Sequence, residues 1–365
     1  MEGRGGKDRK VFGKLRKVEV VEYKSGLSVE EVERRYGVKA VKLASNENPY
    51  GPTPRVYDVL KKFRSFNTYP KELPELKTAI ADYLSVEENR IVLGCGSDGV
   101  MESVFKMFVD RGDEVVIPIP TFSYYHTLAS VYSAKVVNVE RREDYSLNVE
   151  GILNAVSDKT KLVIICSPNN PTGNAERVED VKAIVESVDC PVFIDEAYAE
   201  FSDWNMLSLL DYENVIVSRT FSKAFGLANL RVGYGVMHED LVKYYKSVTP
   251  PFPVSTLAQL CALECLRDLN YMLKCVKMIK SERERICREL KRRDIEVYKS
   301  QANFLFMKSP IKAGEFVEEL LKRGVIVRDC SNFLGCDDYS VRVSVGKPDE
   351  NNAFLRALDD LLSNL

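Results

Sequence analysis

The sequence predicts an α/β protein: a large domain with a mostly parallel sheet flanked by helices, joined to a smaller α+β domain. Three observations carry this. Short apolar runs separated by helical segments recur between residues 91 and 217, and such alternation builds a parallel sheet with both faces covered. The cluster Pro250-Pro251-Phe252-Pro253 then interrupts the pattern and is the best boundary in the chain. Beyond it, two long helices lead to a few strands and two further helices, the make-up of a small α+β unit. A chain of 365 residues holds two domains or one large elaborated one.

In order, Ser28-Val29-Glu30-Glu31 has the spacing of a capping box and opens a helix through about Arg35. Val41 to Ala44 reads as a short strand, and Ser45-Asn46-Glu47-Asn48-Pro49-Tyr50-Gly51-Pro52 as a rigid polar loop. Thr53-Pro54 caps the next helix with proline at its first position. An amphipathic helix covers Leu73 to Leu84. Strands follow at Ile91–Leu93, Glu114–Ile117, Lys135–Val139, Leu162–Cys166, Val192–Asp195 and Val215–Val217, with helices to about Val109, over Phe122–Tyr132 and over Glu176–Val188. After the prolines, helices run to about Arg293. Strands are expected at 296–299, 304–307 and 341–345, and helices near 313–322 and 350–362. In an open sheet of this kind the site lies at the carboxyl ends of the strands.

Composition narrows the function. Hydrophobic content of 45% and charged content of 29% describe an ordinary globular protein, and 52 Lys+Arg against 54 Asp+Glu leave no global field for nucleic acid. Arg4, Lys7, Arg9, Lys10, Lys14, Arg16 and Lys17 make a basic arm without the apolar core of a secretory signal. No stretch approaches the roughly 18 apolar residues of a membrane span. The nine cysteines are scattered without a Cys-x-x-Cys pair, and only His126 and His238 accompany them. They read as buried small hydrophobes in a reducing compartment, the cytoplasm, with no metal site.

The chemistry centres on Ser218-Arg219-Thr220-Phe221-Ser222-Lys223-Ala224-Phe225-Gly226, which follows the apolar run Val215-Ile216-Val217. A lysine at the end of a buried strand is partly desolvated. That lowers its pKa and frees the amine to attack a carbonyl. Ser222 and Arg231 offer a hydroxyl and a fixed charge to an anion such as phosphate. A Schiff-base lysine beside a phosphate site points to pyridoxal phosphate. Taken alone, the segment fits an exposed lysine in a strand-to-helix turn equally well.

A competing motif is Gly94-x-Gly96-x-x-Gly99, a literal dinucleotide fingerprint between a strand and a helix, which would suit a nicotinamide-dependent oxidoreductase. It leaves Lys223 and Arg231 without a role. Other strand ends give the lysine reading more support. Ser167-Pro168-Asn169-Asn170-Pro171-Thr172-Gly173 closes one strand and Asp195-Glu196-Ala197-Tyr198 another. A buried aspartate needs a positive partner, and a protonated pyridine nitrogen is one. Asn170 and Tyr198 can donate to the phenolate oxygen of such a ring, and Tyr125 can stack on its face.

These motifs, with Tyr69-Pro70, Gly96-Ser97-Asp98, Pro120-Thr121-Phe122 and Val341-Arg342-Val343-Ser344-Val345-Gly346, resemble the histidinol-phosphate aminotransferase family of fold-type I pyridoxal-phosphate enzymes, from about residue 20 to the end. The resemblance implies that Lys223 forms the Schiff base with pyridoxal 5'-phosphate, that Asp195 pairs with the pyridine nitrogen, and that Asn170 and Tyr198 hold the phenolate oxygen. Gly96, Ser97, Asp98, Thr220, Ser222 and Arg231 would hold the cofactor phosphate, and Tyr125 would stack on the ring. Asn46 would line the substrate site. Arg342 would take an α-carboxylate and Arg328 a remote substrate phosphate. The reaction implied is transamination between L-histidinol phosphate and 2-oxoglutarate, in histidine biosynthesis. A homodimer is implied in which Tyr69 reaches the neighbouring subunit's cofactor.

The domains expected are 1–48 (arm and part of the small domain), 49–249 (large domain) and 250–365 (small domain). Two departures stand out. Asn229 occupies a position where the family commonly has glycine. Arg328-Asp329-Cys330-Ser331-Asn332-Phe333-Leu334-Gly335 also looks like the related threonine-phosphate decarboxylases. That activity and aromatic amino-acid transamination are the nearest alternatives, with a non-enzymatic regulator on the same fold more remote.

Overall fold

The computed structural model describes residues 27–365, so the basic arm lies outside the described residues. Helix α1 (Val29–Tyr36) opens on the expected capping box: the Ser28 hydroxyl accepts from the Glu31 amide and the Glu31 carboxylate accepts from the Ser28 amide. Strand β1 (Val41–Lys42) leads into the 45–52 loop. Helix α2 (Arg55–Lys62) starts one residue later than expected, with Pro54 as its N-cap. Thr53 does not cap it, because its hydroxyl donates to Asp268 at 2.5 Å instead. Helix α3 (Pro74–Leu84) matches the amphipathic stretch.

The central sheet has seven strands: β2 (Ile91–Gly94), β3 (Glu114–Ile119), β4 (Lys135–Glu140), β5 (Thr160–Cys166), β6 (Val192–Asp195), β7 (Val215–Thr220) and β8 (Gly233–Val236). Their spatial order is β2-β8-β7-β6-β5-β3-β4. Strands β3 to β7 run parallel, whereas β8 is antiparallel to both β2 and β7. The sequence reading missed β8, since Gly233-Tyr234-Gly235-Val236 lacks the apolar run that marks its neighbours. Its pairing also weakens the dinucleotide reading. The glycine motif follows β2, an edge strand held antiparallel, whereas that fingerprint belongs to a parallel βαβ unit.

Both faces of the sheet are covered, which is why β3, β5, β6 and β7 read as unbroken apolar runs. Their side chains divide with a period of two. Val163, Ile165, Val192, Ile194, Val215 and Val217 face one core. Leu162, Ile164, Phe193 and Ile216 face the other, with Val100, Val104 and Phe105 of helix α4 (Gly96–Phe108). Helix α5 (Tyr124–Val131) also joins that second face, and helix α7 (Val178–Ser187) covers the first. Helices α6 (Val149–Ala155) and α8 (Glu239–Val248) were not anticipated.

After the prolines come α9 (Thr256–Leu266) and α10 (Leu269–Lys291). A three-stranded antiparallel sheet is made by β9 (Phe304–Lys308), β11 (Arg328–Asp329) and β12 (Ser340–Ser344), in the order β11-β12-β9. The expected strand at 296–299 is reduced to a single bridge, Val297 to Met307. Helices α11 (Ala313–Lys322) and α12 (Pro348–Leu362) lie close to their expected positions. Strand β10 (Val325–Ile326) pairs in parallel with β1, tying the N-terminal segment to the C-terminal one. Among the described residues no helix is long and apolar enough to cross a membrane.

Candidate active site

Strand register explains the convergence of the sequence motifs. Cys166 on β5, Asp195 on β6 and Ser218 on β7 stand side by side. The loops after these strands therefore leave at nearly one level, delivering Asn170, Tyr198 and Lys223 to the same place. Strand β8 does the same for the anion side: Gly233 pairs with Gly94 on β2 and Thr220 on β7, which brings Arg231 beside the start of α4. Below this edge Arg219 and Glu196 form a buried ion pair at 2.8 Å, linking the ends of β6 and β7. Leaving either charge alone in that position would cost about 3–5 kcal/mol.

A cleft of about 440 Å³ opens over these strand ends. Asn170, Asp195 and Tyr198 line it together with Thr220, Ser222 and Lys223. Ser97, Asp98 and Arg231 line one flank, and Asn46 and Arg342 another. The Lys223 amine donates to the Ser45 carbonyl at 3.2 Å and lies 5.6 Å from the centre of the Tyr198 ring. Burial pushes its pKa down to about 8, and the charge of Arg342 pushes the same way. Asp195 is 5% exposed, and its carboxylate accepts from the Tyr125 hydroxyl at 2.9 Å and the Ala197 amide at 3.1 Å. Burial raises its pKa to about 6 against those hydrogen bonds. Burial likewise holds the Tyr198 hydroxyl protonated well above the usual tyrosine range.

The anion flank is built from short contacts. Thr220 and Ser222 share a hydroxyl hydrogen bond at 2.9 Å. Arg231 donates to the Ser222 hydroxyl at 3.2 Å and to the Asp98 carboxylate at 3.1 Å. Gly96 has φ +71°, and a β-carbon there would come within 2.7 Å of the Arg231 guanidinium. The positive φ favours glycine at this turn, and the arginine end packs into the space that a β-carbon would take. Asp98 departs in part from expectation: its carboxylate faces Arg231, so only its amide remains suited to an anion. Burial raises its pKa.

The loop at 45–52 also borders the cleft, through Ser45 and Asn46. Asn48 donates to the Ala224 carbonyl at 2.8 Å. Gly226 (φ +72°) packs so closely on Gly51 that a β-carbon would meet its carbonyl carbon at 2.6 Å. Asn46 donates to the Tyr198 hydroxyl at 3.0 Å and is held by Ser344 and Asn303. Arg342 donates to Asn170 and, at 2.6 Å, to the Ala44 carbonyl, while its Nε is buried without a hydrogen-bond partner.

Two expected residues are placed differently. Tyr125 is fully buried behind Asp195 and does not line the cleft, whereas Phe122 and Tyr124 do. The reason is helical phase: α5 turns Tyr125 into the core and leaves the residues before it at the cleft. Arg328 stands opposite Arg342 in the β11–β12 ladder, on the same face, but does not line the cleft. Tyr69, expected to serve a neighbouring subunit and not its own, is 81% exposed and lies outside its own chain's cleft. The sequence reading also missed Ser45 and Phe122, although the motifs containing both had been noticed.

A half-buried lysine with a lowered pKa, a buried aspartate and an anion-binding flank line one cleft. Residues 38–358 match the family model of aminotransferase class I and II, so fold and site define an aminotransferase of that class. The histidinol-phosphate aminotransferase 1 of Archaeoglobus fulgidus is 50% identical over 323 residues, 88% of this chain and 99% of that one. That of Methanocaldococcus jannaschii is 44% identical over 355 residues, 93% and 95% of the two chains. Among solved structures, histidinol-phosphate aminotransferase from Sinorhizobium meliloti in complex with pyridoxal-5'-phosphate superposes with a TM-score of 0.85 at 26% identity, covering 94% of this chain and 96% of that one. The chain belongs to the histidinol-phosphate aminotransferase family.

Proposed function

We propose that the protein transaminates L-histidinol phosphate with 2-oxoglutarate, yielding imidazole-acetol phosphate and L-glutamate, in the histidine biosynthesis of the cytoplasm. The observation that carries this is the pairing of Lys223 and Asp195 in one cleft, in a chain 50% identical to a histidinol-phosphate aminotransferase. The residues fit pyridoxal phosphate. Asp195 is a buried carboxylate whose hydrogen-bond partners are neutral, as a site for a protonated ring nitrogen requires. Ser97, Thr220, Ser222 and Arg231 line one cleft and would hold the phosphate, and Phe122 and Tyr124 add aromatic faces to it.

When bound, pyridoxal phosphate supplies an electron sink for the pair left as the amino-bearing carbon loses its proton. Lys223 would hold the cofactor through its amine. Once released, its amine would take that proton from the substrate carbon and deliver it to the cofactor, a role that suits a pKa near working pH. Asp195 would hold the ring nitrogen protonated, and Asn170 and Tyr198 would orient the phenolate oxygen. Arg342, with its free Nε, receives the carboxylate of glutamate or 2-oxoglutarate. Arg328 stands beside it for the phosphate of histidinol phosphate. Each site is completed in a homodimer by Tyr69 of the neighbouring subunit.

A substrate panel of histidinol phosphate, aromatic amino acids and threonine phosphate, with product identification, tests the reading. Glutamate formation should be fastest with histidinol phosphate. Carbon dioxide release from threonine phosphate would establish a decarboxylase instead, and faster turnover of an aromatic amino acid would overturn the substrate assignment.

A further inference from the structure

The Tyr69 ring stacks on Phe252, with centroids 4.9 Å apart and planes 22° from parallel. Both rings are exposed in the single chain, Tyr69 at 81% and Phe252 at 54%, so the stack gains little from burial within its own subunit. Phe252 also adopts φ +59°, a left-handed conformation that a β-carbon resists, between Pro251 and Pro253. The two loops are fastened at a common point. Gln259 on α9 is 2% exposed; its side-chain oxygen accepts from the Leu73 amide at 2.8 Å, and its nitrogen donates to the Lys71 and Val254 carbonyls at 3.0 Å each. Lys71 lies two residues beyond Tyr69, and Val254 two beyond Phe252.

We propose that Phe252, with its loop fastened by Gln259, is a positioning residue for the neighbouring subunit's cofactor site: it fixes the Tyr69 ring so that the hydroxyl meets the phosphate there. The proposal rests on the shared-site homodimer described above. An exposed tyrosine without a platform samples several rotamers, and ordering it on binding subtracts from affinity. The proline cluster thus does more than separate two parts of the chain. It presents one aromatic face to a ring belonging to a distant loop.

The experiment measures pyridoxal phosphate affinity by equilibrium titration. Phe252→Ala should weaken it about three- to tenfold, the cost of ordering one freed side chain. Phe252→Tyr, which keeps the ring, should restore it, and Phe252→Ala should add nothing in a Tyr69→Ala background. Should the alanine variant fail to fold, Phe252→Leu retains apolar bulk without the flat face and should show the same weakening.

Subunit exchange then distinguishes the site served. Phe252→Ala chains are unfolded and remixed equally with Lys223→Ala chains, and turnover is followed against cofactor concentration. In the hybrid dimer the intact lysine site receives Tyr69 from the chain with intact Phe252. About half of the active sites should therefore titrate with wild-type affinity. If Phe252 acts on its own chain's site, every active site stays weakened and the proposal falls. Tyr69→Ala mixed with Lys223→Ala is the control. Recovery there without recovery for Phe252 removes only this inference, whereas no recovery in either defeats the shared site and the inference with it.

Discussion

Replacing Arg342 by methionine should raise the pH at which Lys223 becomes nucleophilic. Burial is the larger cause of the lowered lysine pKa, and the Arg342 charge is the second. With a pKa of about 8 in place of 10.5, roughly a tenth of the amine is free at pH 7 instead of a few parts in ten thousand, a gain of about 300-fold. Removing the arginine keeps the burial and deletes the repulsion, so the midpoint should settle between about 8 and 10.5. Asp98→Asn should move it the opposite way, because the Asp98 charge stabilises the ammonium form. The assay is the visible absorbance change when cofactor-free protein reacts with pyridoxal, followed against pH. Pyridoxal lacks the phosphate, so effects on phosphate binding do not enter. A wild-type midpoint above 10, or a midpoint that fails to rise in Arg342→Met, would refute the electrostatic account.

Lys223→Ala should abolish transamination while leaving the circular dichroism spectrum intact, since the change removes the amine and little packing; appreciable residual turnover would contradict its role. Asp195→Asn should have two opposite effects. Its carboxyl has a folded pKa of about 6 against an ordinary 3.8, so the charge penalty is absent below that ordinary value and fully present above the folded one. The cofactor-free variant should thus be more stable at pH 8, by at most ~3 kcal/mol, with the gain vanishing toward pH 4. Its α-proton removal in a single turnover should nevertheless be far slower, and an unchanged rate would make Asp195 merely structural. Arg342→Met should slow the glutamate half-reaction more than the histidinol-phosphate one, because only glutamate has an α-carboxylate. Equal losses in stopped-flow traces of the two half-reactions would reject this division of labour.

Much of the architecture could be read from local sequence because the physics involved is local. Unbroken apolar runs at β5, β6 and β7 report burial on both faces, and Ser28 with Glu31 defines a cap by spacing alone. Asp195 stood out for the same reason, as a charge placed directly after such a run, and Lys223 as the lysine six residues beyond another, among hydroxyls. Strand β8 was hidden because its glycines are selected by close approach to Gly96 and Val100, partners distant in the chain. Tyr125 was misplaced because neighbouring residues on a helix point in different directions, and the packing of α5 decides which of them meets the cleft. The same holds for Arg342, whose neighbours Asn170 and Ala44 come from opposite parts of the sequence. The sequence alone marked the apolar strands of the parallel sheet and most of the residues that line the cleft, because burial and charge are written in side-chain type. Only the tertiary structure decided which of them face one another, because register, helical phase and close backbone approach are set by partners far along the chain.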